Sequence, residues 1–211
     1  MDHRTSELSG APGGTGECAL QEHFGTRERA EGFYRRQVLD HLNERMRQFI
    51  ARQEMMFLAT SDAHGACDNT FRAGPPGFIR VLDEYRLIWP EYRGNGVMAS
   101  LGNITENPHV GLLFVDFFVD VIGLHVNATA EIIEDPTIRS KRPDLPVDPV
   151  PARRAQVWVV ARVDEAYIHC ARHIPRMRKV PRQRGDADTP QPKKSDYFVT
   201  AATTSTTTPQ A

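Results

Sequence analysis

The sequence predicts a mainly β, α+β fold: a Greek-key-like antiparallel barrel of six or seven strands, with helices N-terminal to it and one helix inserted midway. Three observations carry this expectation. Short apolar runs recur between Gly, Pro and Asp turns, the pattern of a barrel and not of a bundle. Most links between those runs are too short for parallel crossovers, so the strands are expected to run mostly antiparallel. The cleanest period in the chain is two: Leu124, Val126, Ala128, Ala130 and Ile132 alternate with His125, Asn127, Thr129 and Glu131.

Residues 1–22 are rich in Gly, Ser, Glu and Thr without periodicity and are expected to form a disordered tail. The first helix is expected over Thr26–Leu39, with Thr26 as N-cap and Glu28 in its first turn. A second is expected over Asn43–Gln53, where Met46, Phe49 and Ile50 share a face and Asn43 caps. The period then changes to that of strands. Met55 opens a buried strand, Asp62–Gly65 a turn, and Cys67–Phe71 a second strand of the same hairpin. Phe78–Leu82 and Arg86–Trp89 form a pair around Asp83–Glu84. Asn95 is expected to cap a short helix carrying Val97, Leu101 and Ile104 on one face, stopped by Asn107–Pro108. Val110–Phe117 is an apolar strand, followed by the alternating strand and a Pro-rich loop over Asp135–Pro151. The last strand runs from Gln156 to Tyr167. One folded domain over 23–180 is therefore expected between the N-terminal tail and a low-complexity C-terminal tail, 181–211.

Composition excludes several functions. The chain has 211 residues and a net charge of −1 with histidines neutral, which points to neither nucleic acid nor a membrane surface. The basic run from Arg172 to Arg184 lacks interleaved aromatics and reads as a solvated arm. No apolar run is long enough to span a bilayer, and the N-terminus has no signal-peptide core, so a cytoplasmic location is expected. Cys18, Cys67 and Cys170 are odd in number and far apart, which fits free thiols in a reducing compartment.

The chemistry concentrates between Asn69 and Phe117. Arg93, Gly94, Asn95 and Gly96 precede a helix start, where free N–H groups and partial positive charge favour an anion, and Arg93 adds a planar fork of donors. Arg72, at a strand end before Gly74–Pro75–Pro76, is a candidate bidentate phosphate donor. Trp89, Pro90, Glu91 and Tyr92 are placed to line a flat ring; a strand Trp is commonly core, so the choice falls on Tyr92 and the Glu91 backbone. His125, on the polar face of its strand, and Tyr92 are the candidate catalytic residues. His169, Cys170 and His173 form H-C-x-x-H, a metal pair if helical; without a further ligand cluster no metal site is assigned.

These elements in this order resemble the pyridoxamine 5′-phosphate oxidase-like, FMN-binding split-barrel family. The resemblance covers about Arg45 to Ile174 and rests on MMFLATSDAHGACDNTFRAGPPGF, on LIWPEYRGNGVMASLGNITENPHVGLLF and on AYIHCARHIPR. It implies a split barrel that forms a homodimer with FMN in a groove between subunits. It also implies cofactor contacts from Asn69, Thr70, Phe71 and Arg72 on the early strand. Further contacts would come from Pro90, Glu91, Tyr92, Arg93 and Asn95 at the turn, and from Ser100 on the helix facing the phosphate. Family members that oxidise pyridoxamine phosphate carry Arg-x-x-x-x-Lys, Ser-Arg-Lys and a C-terminal Trp/Arg segment. Here Arg-Ala-Gly-Pro-Pro, Arg-Gly-Asn and Tyr-Ile-His-Cys stand instead, which argues against that substrate. The implied function is an FMN-dependent oxidoreductase acting on a small organic substrate. The alternatives are a deazaflavin-dependent reductase on the same barrel, or a flavin- or haem-binding protein without turnover.

Overall fold

The computed structural model describes residues 13–148, 151 and 154–180. The chain divides between Met177 and Arg178, and beyond that division only residues 178–180 are described. The expected C-terminal tail and residues 1–12 lie outside the described residues.

Helix α1 (Thr15–His23) corrects the expectation of a structureless stretch through residue 22. It forms because Gln21, buried against α2 (Arg27–Gln37), hydrogen-bonds Tyr34 on that helix, a tertiary contact that local composition does not reveal. Helix α3 (Glu44–Ala51) starts where expected: the Asn43 side chain accepts the Met46 N–H at 3.0 Å and so satisfies one orphan donor of the first turn. Its buried face, Phe49 and Ile50, enters the core.

Seven strands follow: β1 (Met55–Ser61), β2 (Cys67–Ala73), β3 (Arg80–Asp83), β4 (Arg86–Tyr92), β5 (His109–Asp116), β6 (Ile122–Glu134) and β7 (Ala155–His169). They form one antiparallel sheet in the order β2-β1-β5-β6-β7-β4-β3. The sheet curls on itself. Met56 and Leu58 of β1 share a single core with Leu87 and Trp89 of β4, although three strands separate β1 from β4 in the ladder. Its two ends, β2 and β3, are not paired with each other. The result is a barrel left open along one seam, the split barrel that the family resemblance implies.

Two helices inserted between strands position the site. Helix α4 (Ala99–Glu106) packs on β1, β2 and β6. Asn103 Nδ2 donates to Thr60 Oγ1 at 3.0 Å, and Asn107 Nδ2 to Ser61 Oγ at 2.8 Å, which fixes its axial position. Helix α5 (Asp135–Lys141) occupies part of the stretch expected to be loop. Ile138 and Leu145 cover Ile88, Trp158 and Val160, a second small core on the outer face of the sheet. That cover explains why β7 is buried on both faces at Trp158–Ala161 instead of alternating. Asp135 ties the layer together, accepting from Trp158 Nε1 at 2.7 Å and from Arg139 Nε at 2.7 Å.

The β6–β7 hairpin ends close together at Gly123, where a Cβ would lie 2.8 Å from His169 Cβ and 2.9 Å from the Phe114 carbonyl oxygen. Neither neighbour is a freely moving side-chain tip. Gly123→Ala is expected to lower unfolding free energy by about 1–3 kcal/mol through overpacking, measured by urea denaturation. A midpoint unchanged from wild type would show that the strands separate without cost.

Candidate functional site

The candidate site is the seam of the barrel. Strand β3 begins at Arg80, opposite Ile88, so among the described residues β4 has no strand partner on that side from Trp89 to Tyr92. Pro90, which lacks an N–H for a ladder, is tolerated there. The register with β7 slips between Glu91 and Tyr92, a bulge that re-aims Tyr92 at the end of the strand. Across the seam lies the free edge of β2. A groove of about 1200 Å³ opens between the two edges and the first turn of α4, and Ile132, Glu134 and Gln156 line its far wall.

One cluster bridges the seam. Arg72 Nε donates to Glu91 Oε1 at 2.8 Å, and Trp89 Nε1 donates to the same oxygen at 3.0 Å. Arg72 Nη1 donates to Thr70 Oγ1 at 2.7 Å. The Glu91 side chain is 9% exposed and that of Arg72 21%. A carboxylate so enclosed requires its cation and its N–H donor. Arg72 is thus engaged within the protein, whereas the sequence leads one to expect a guanidinium open to phosphate.

The turn after β4 stands open. Residues 93–99 are exposed, and among the described residues no ion pair holds Arg93. Asn95 does not cap α4, which corrects the sequence expectation. Its Oδ1 accepts the Val97 N–H at 3.0 Å, a local turn. Gly96 (φ 87°) and Met98 (φ 55°) then take left-handed conformations, so the chain turns twice before the helix can begin at Ala99. Val97 is left outside the helix, 71% exposed. Helix α4 starts without any side-chain cap, so its first-turn N–H groups and the Arg93 guanidinium share the mouth of the groove. Ser100 is buried at the first turn, and its hydroxyl donates to Asp68 Oδ2 at 3.1 Å, which ties the helix to β2.

Every residue that the sequence nominates for the cofactor lines this groove. Asn69 and Phe71 present the exposed positions of β2, and Phe71 packs edge-on against Phe57 at 5.6 Å. Thr70 and Arg72 lie on the other face of that strand, Pro90 and Glu91 are buried, and Tyr92 is half-buried. Asp68 was missed, although the alternation of β2 places it on the face of Thr70 and Arg72.

His125 is not in the groove. It pairs opposite Tyr167 across the β6–β7 hairpin, stacks on that ring at 4.8 Å and 22°, and its Nε2 lies 2.9 Å from His169 Nδ1. Two imidazoles at that distance need one donor and one acceptor, so a second proton is disfavoured. Burial first, then the positive charge of His169, push the His125 pKa below its ordinary 6.5, against a smaller upward pull from Glu165. The H-C-x-x-H run is not helical: β7 ends at His169, and His173 has φ 70°. Among the described residues no group of three or more His, Cys, Asp or Glu is placed to hold a metal, and no helix is long and apolar enough to cross a membrane.

A family model described as Pyridoxamine 5′-phosphate oxidase matches residues 42–170. No curated protein matches the chain in sequence. Solved structures resemble it loosely. HupZ of Group A Streptococcus is 21% identical, with 60% of this chain and 92% of that one covered and a TM-score of 0.43. An FMN-binding protein from Syntrophomonas wolfei is 14% identical over 74% and 98%, TM-score 0.46. HutZ, the haem storage protein of Vibrio cholerae, is 13% identical over 61% and 93%, TM-score 0.40.

Two outcomes follow from the geometry. Glu91→Ala, which strands Arg72 and the Trp89 N–H, is expected to cost about 2–4 kcal/mol in chemical denaturation, with Glu91→Gln costing less because an amide oxygen still accepts from the indole. Equal losses in the two variants would contradict this ranking. For His125 the folded pKa lies below the unfolded one. Its contribution to stability is therefore complete above about pH 6.5 and is lost as pH falls through the lowered folded value. Wild type should lose more stability than His125→Gln between about pH 7 and pH 5; parallel pH curves would remove His125 as the cause.

Proposed function

Because the chain belongs to the pyridoxamine 5′-phosphate oxidase family, we propose that its seam groove holds a flavin-type cofactor, FMN in the first instance, and that the protein is an oxidoreductase acting on a small organic substrate. The observation that carries this reading is the mouth of the groove, where an exposed Arg93, without an ion pair among the described residues, stands beside the uncapped start of α4. A guanidinium fork and free first-turn N–H groups are the donor set that a terminal phosphate requires. The groove volume of about 1200 Å³ admits a tricyclic ring with its phosphate tail.

In this reading Arg93 and the first turn of α4 grip the phosphate, and the Arg72–Glu91 pair acts as a rigid polar wall. Pro90, the Glu91 backbone and Tyr92 border the ring, with Asn69 and Phe71 across from them. When bound, the flavin supplies two-electron redox chemistry of its own. The residues of the chain bind it, orient it and exclude bulk water. In this reading Tyr92, which lines the groove, offers a hydrogen bond to the substrate, whereas His125 does not line the groove and is not favoured as a catalytic residue. Phe71, Val97 and Met98 leave apolar surface exposed around the groove, 51%, 71% and 55%, which supports its closure by a second copy of the chain in a homodimer.

A second reading, cofactor binding without turnover, draws support from Glu91. That carboxylate at the groove is committed to Arg72 and Trp89 and is not free to move a proton. A deazaflavin in place of FMN suits the same donors.

Mass measurement of the ligand released by heating the purified protein tests these readings. FMN or a deazaflavin is expected, and a protein that retains neither, even after incubation with excess of each, would overturn the proposal. Arg93→Ala is expected to weaken flavin affinity about tenfold to a hundredfold in fluorescence-quenching titrations, the scale of one charge-assisted hydrogen bond. Equal affinity in wild type and variant would remove Arg93 from the phosphate site.

A further inference from the structure

The charge balance of the seam groove narrows what it can hold. Of the side chains that line it, Arg72 and Arg93 are cationic, and Asp68, Glu91 and Glu134 are anionic. Arg72 and Glu91 neutralise one another at 2.8 Å. Strand register sets Glu134 in the same cross-strand row as Glu91, with Val157 between them. What remains is Arg93 against two carboxylates. That is enough to neutralise one negative charge on a ligand, and too little for the two of a phosphate monoester.

Asp68 stands where this shortage is felt. The alternation of β2 puts it on the face of Thr70 and Arg72, and its Oδ2 accepts the Ser100 hydroxyl at 3.1 Å. Ser100 is the second residue of α4 and only 5% exposed. Two consequences follow from this bond. The hydroxyl proton of Ser100 is spent on Asp68, so the side chain offers an incoming anion lone pairs and no donor. A carboxylate also already stands beside the helix start. The Gly102 N–H donates to the Met98 carbonyl at 2.8 Å, and the N–H groups of Ala99, Ser100 and Leu101 before it have no partner inside the helix. Asp68 thus supplies negative charge to the positive end of α4 before any ligand arrives.

A first negative charge at this place is met by Arg93 and by the open N–H groups. A second one is set against Asp68. Like unit charges about 6 Å apart repel by a factor of roughly three in water and roughly a hundred at the effective dielectric of a protein surface. A tail that carries one charge avoids most of that penalty.

We propose that Asp68 is a charge selector: it restricts the anion site of the groove to a phosphate with a single negative charge, so that a flavin-type ligand on a phosphodiester tail is taken in preference to one that ends in a phosphomonoester. The selection rests on the flavin reading given above and narrows it, with FMN accepted at a penalty. Three matched probes test it on the full-length protein by fluorescence quenching at pH 8 and low ionic strength, where screening is weak. Riboflavin carries no phosphate, FMN a dianionic monoester, and the monomethyl ester of FMN a singly charged diester. The methyl ester is expected to bind about tenfold tighter than FMN. In Asp68→Asn, which keeps an acceptor for the Ser100 hydroxyl, affinity for FMN should rise about tenfold while that for riboflavin changes less than about threefold. If none of the three probes binds, the flavin reading fails and the selector with it. If all bind but native protein holds FMN at least as tightly as its methyl ester, or Asp68→Asn gains nothing for FMN, the flavin reading stands and the selector is overturned. Should the variant fail to fold, the order of the three probes on the native chain decides.

Discussion

The ion pair between Arg72 and Glu91 joins two strand edges that share no backbone hydrogen bond. In a closed barrel the ladder itself would hold those edges together. Here β3 stops short, β2 is terminal, and one guanidinium, one carboxylate and the Trp89 indole span the gap. The pair is only partly screened by water, so removing either partner leaves a charge that the protein interior cannot solvate. The seam can therefore be open enough to form a groove and still be fixed in width. The same contact commits Arg72 and Glu91 to each other, and the exposed donors of the groove, Arg93 among them, lie at its mouth.

Rigidity elsewhere serves that seam. The core shared by β1 and β4 sets the curl of the sheet, and α5 stiffens the outer face of β4 and β7 behind Pro90 and Glu91. Helix α4 is pinned to β1 and β2 through Asn103, Asn107 and Ser100, so its uncapped first turn has a fixed place next to Arg93. Residues 93–99 are exposed in succession, and they carry the left-handed Met98. A non-glycine residue held there is strain that the flanking strand and helix must sustain. A strained, solvent-facing turn between two rigid elements suits a ligand contact.

Much of this was legible in the residue pattern, element by element. The period-two run of β6 gave both its extent and its buried face, and Asn43 marked the start of α3 through cap chemistry that depends only on near neighbours. Pro90–Asn95 and Ser100 are found together because strand, turn and helix follow one another closely in the chain, whereas Asn69–Arg72 of β2 were indicated by the family resemblance. The failures share a cause. Asn95 had a cap's chemistry, but glycine on one side and Met98 beyond it diverted the chain, and its side chain was spent on Val97. Helices α1 and α5 looked like loop because what stabilises them is distant: Gln21 meets Tyr34, and Asp135 meets Trp158.

Local sequence by itself determined where the strands lie, the cap of α3, the apolar side of β6, and that a cationic turn precedes a helix, because those properties depend on backbone preference and periodicity over a few residues. Tertiary structure alone decided which charges meet. It brought Glu91 to Arg72 across nineteen positions of sequence, stacked His125 on Tyr167 well away from the groove, and buried Gln21 with one oxygen unmet. Such pairings depend on strand register and on how the sheet closes, and electrostatic energy depends on separation and burial, neither of which a linear pattern encodes.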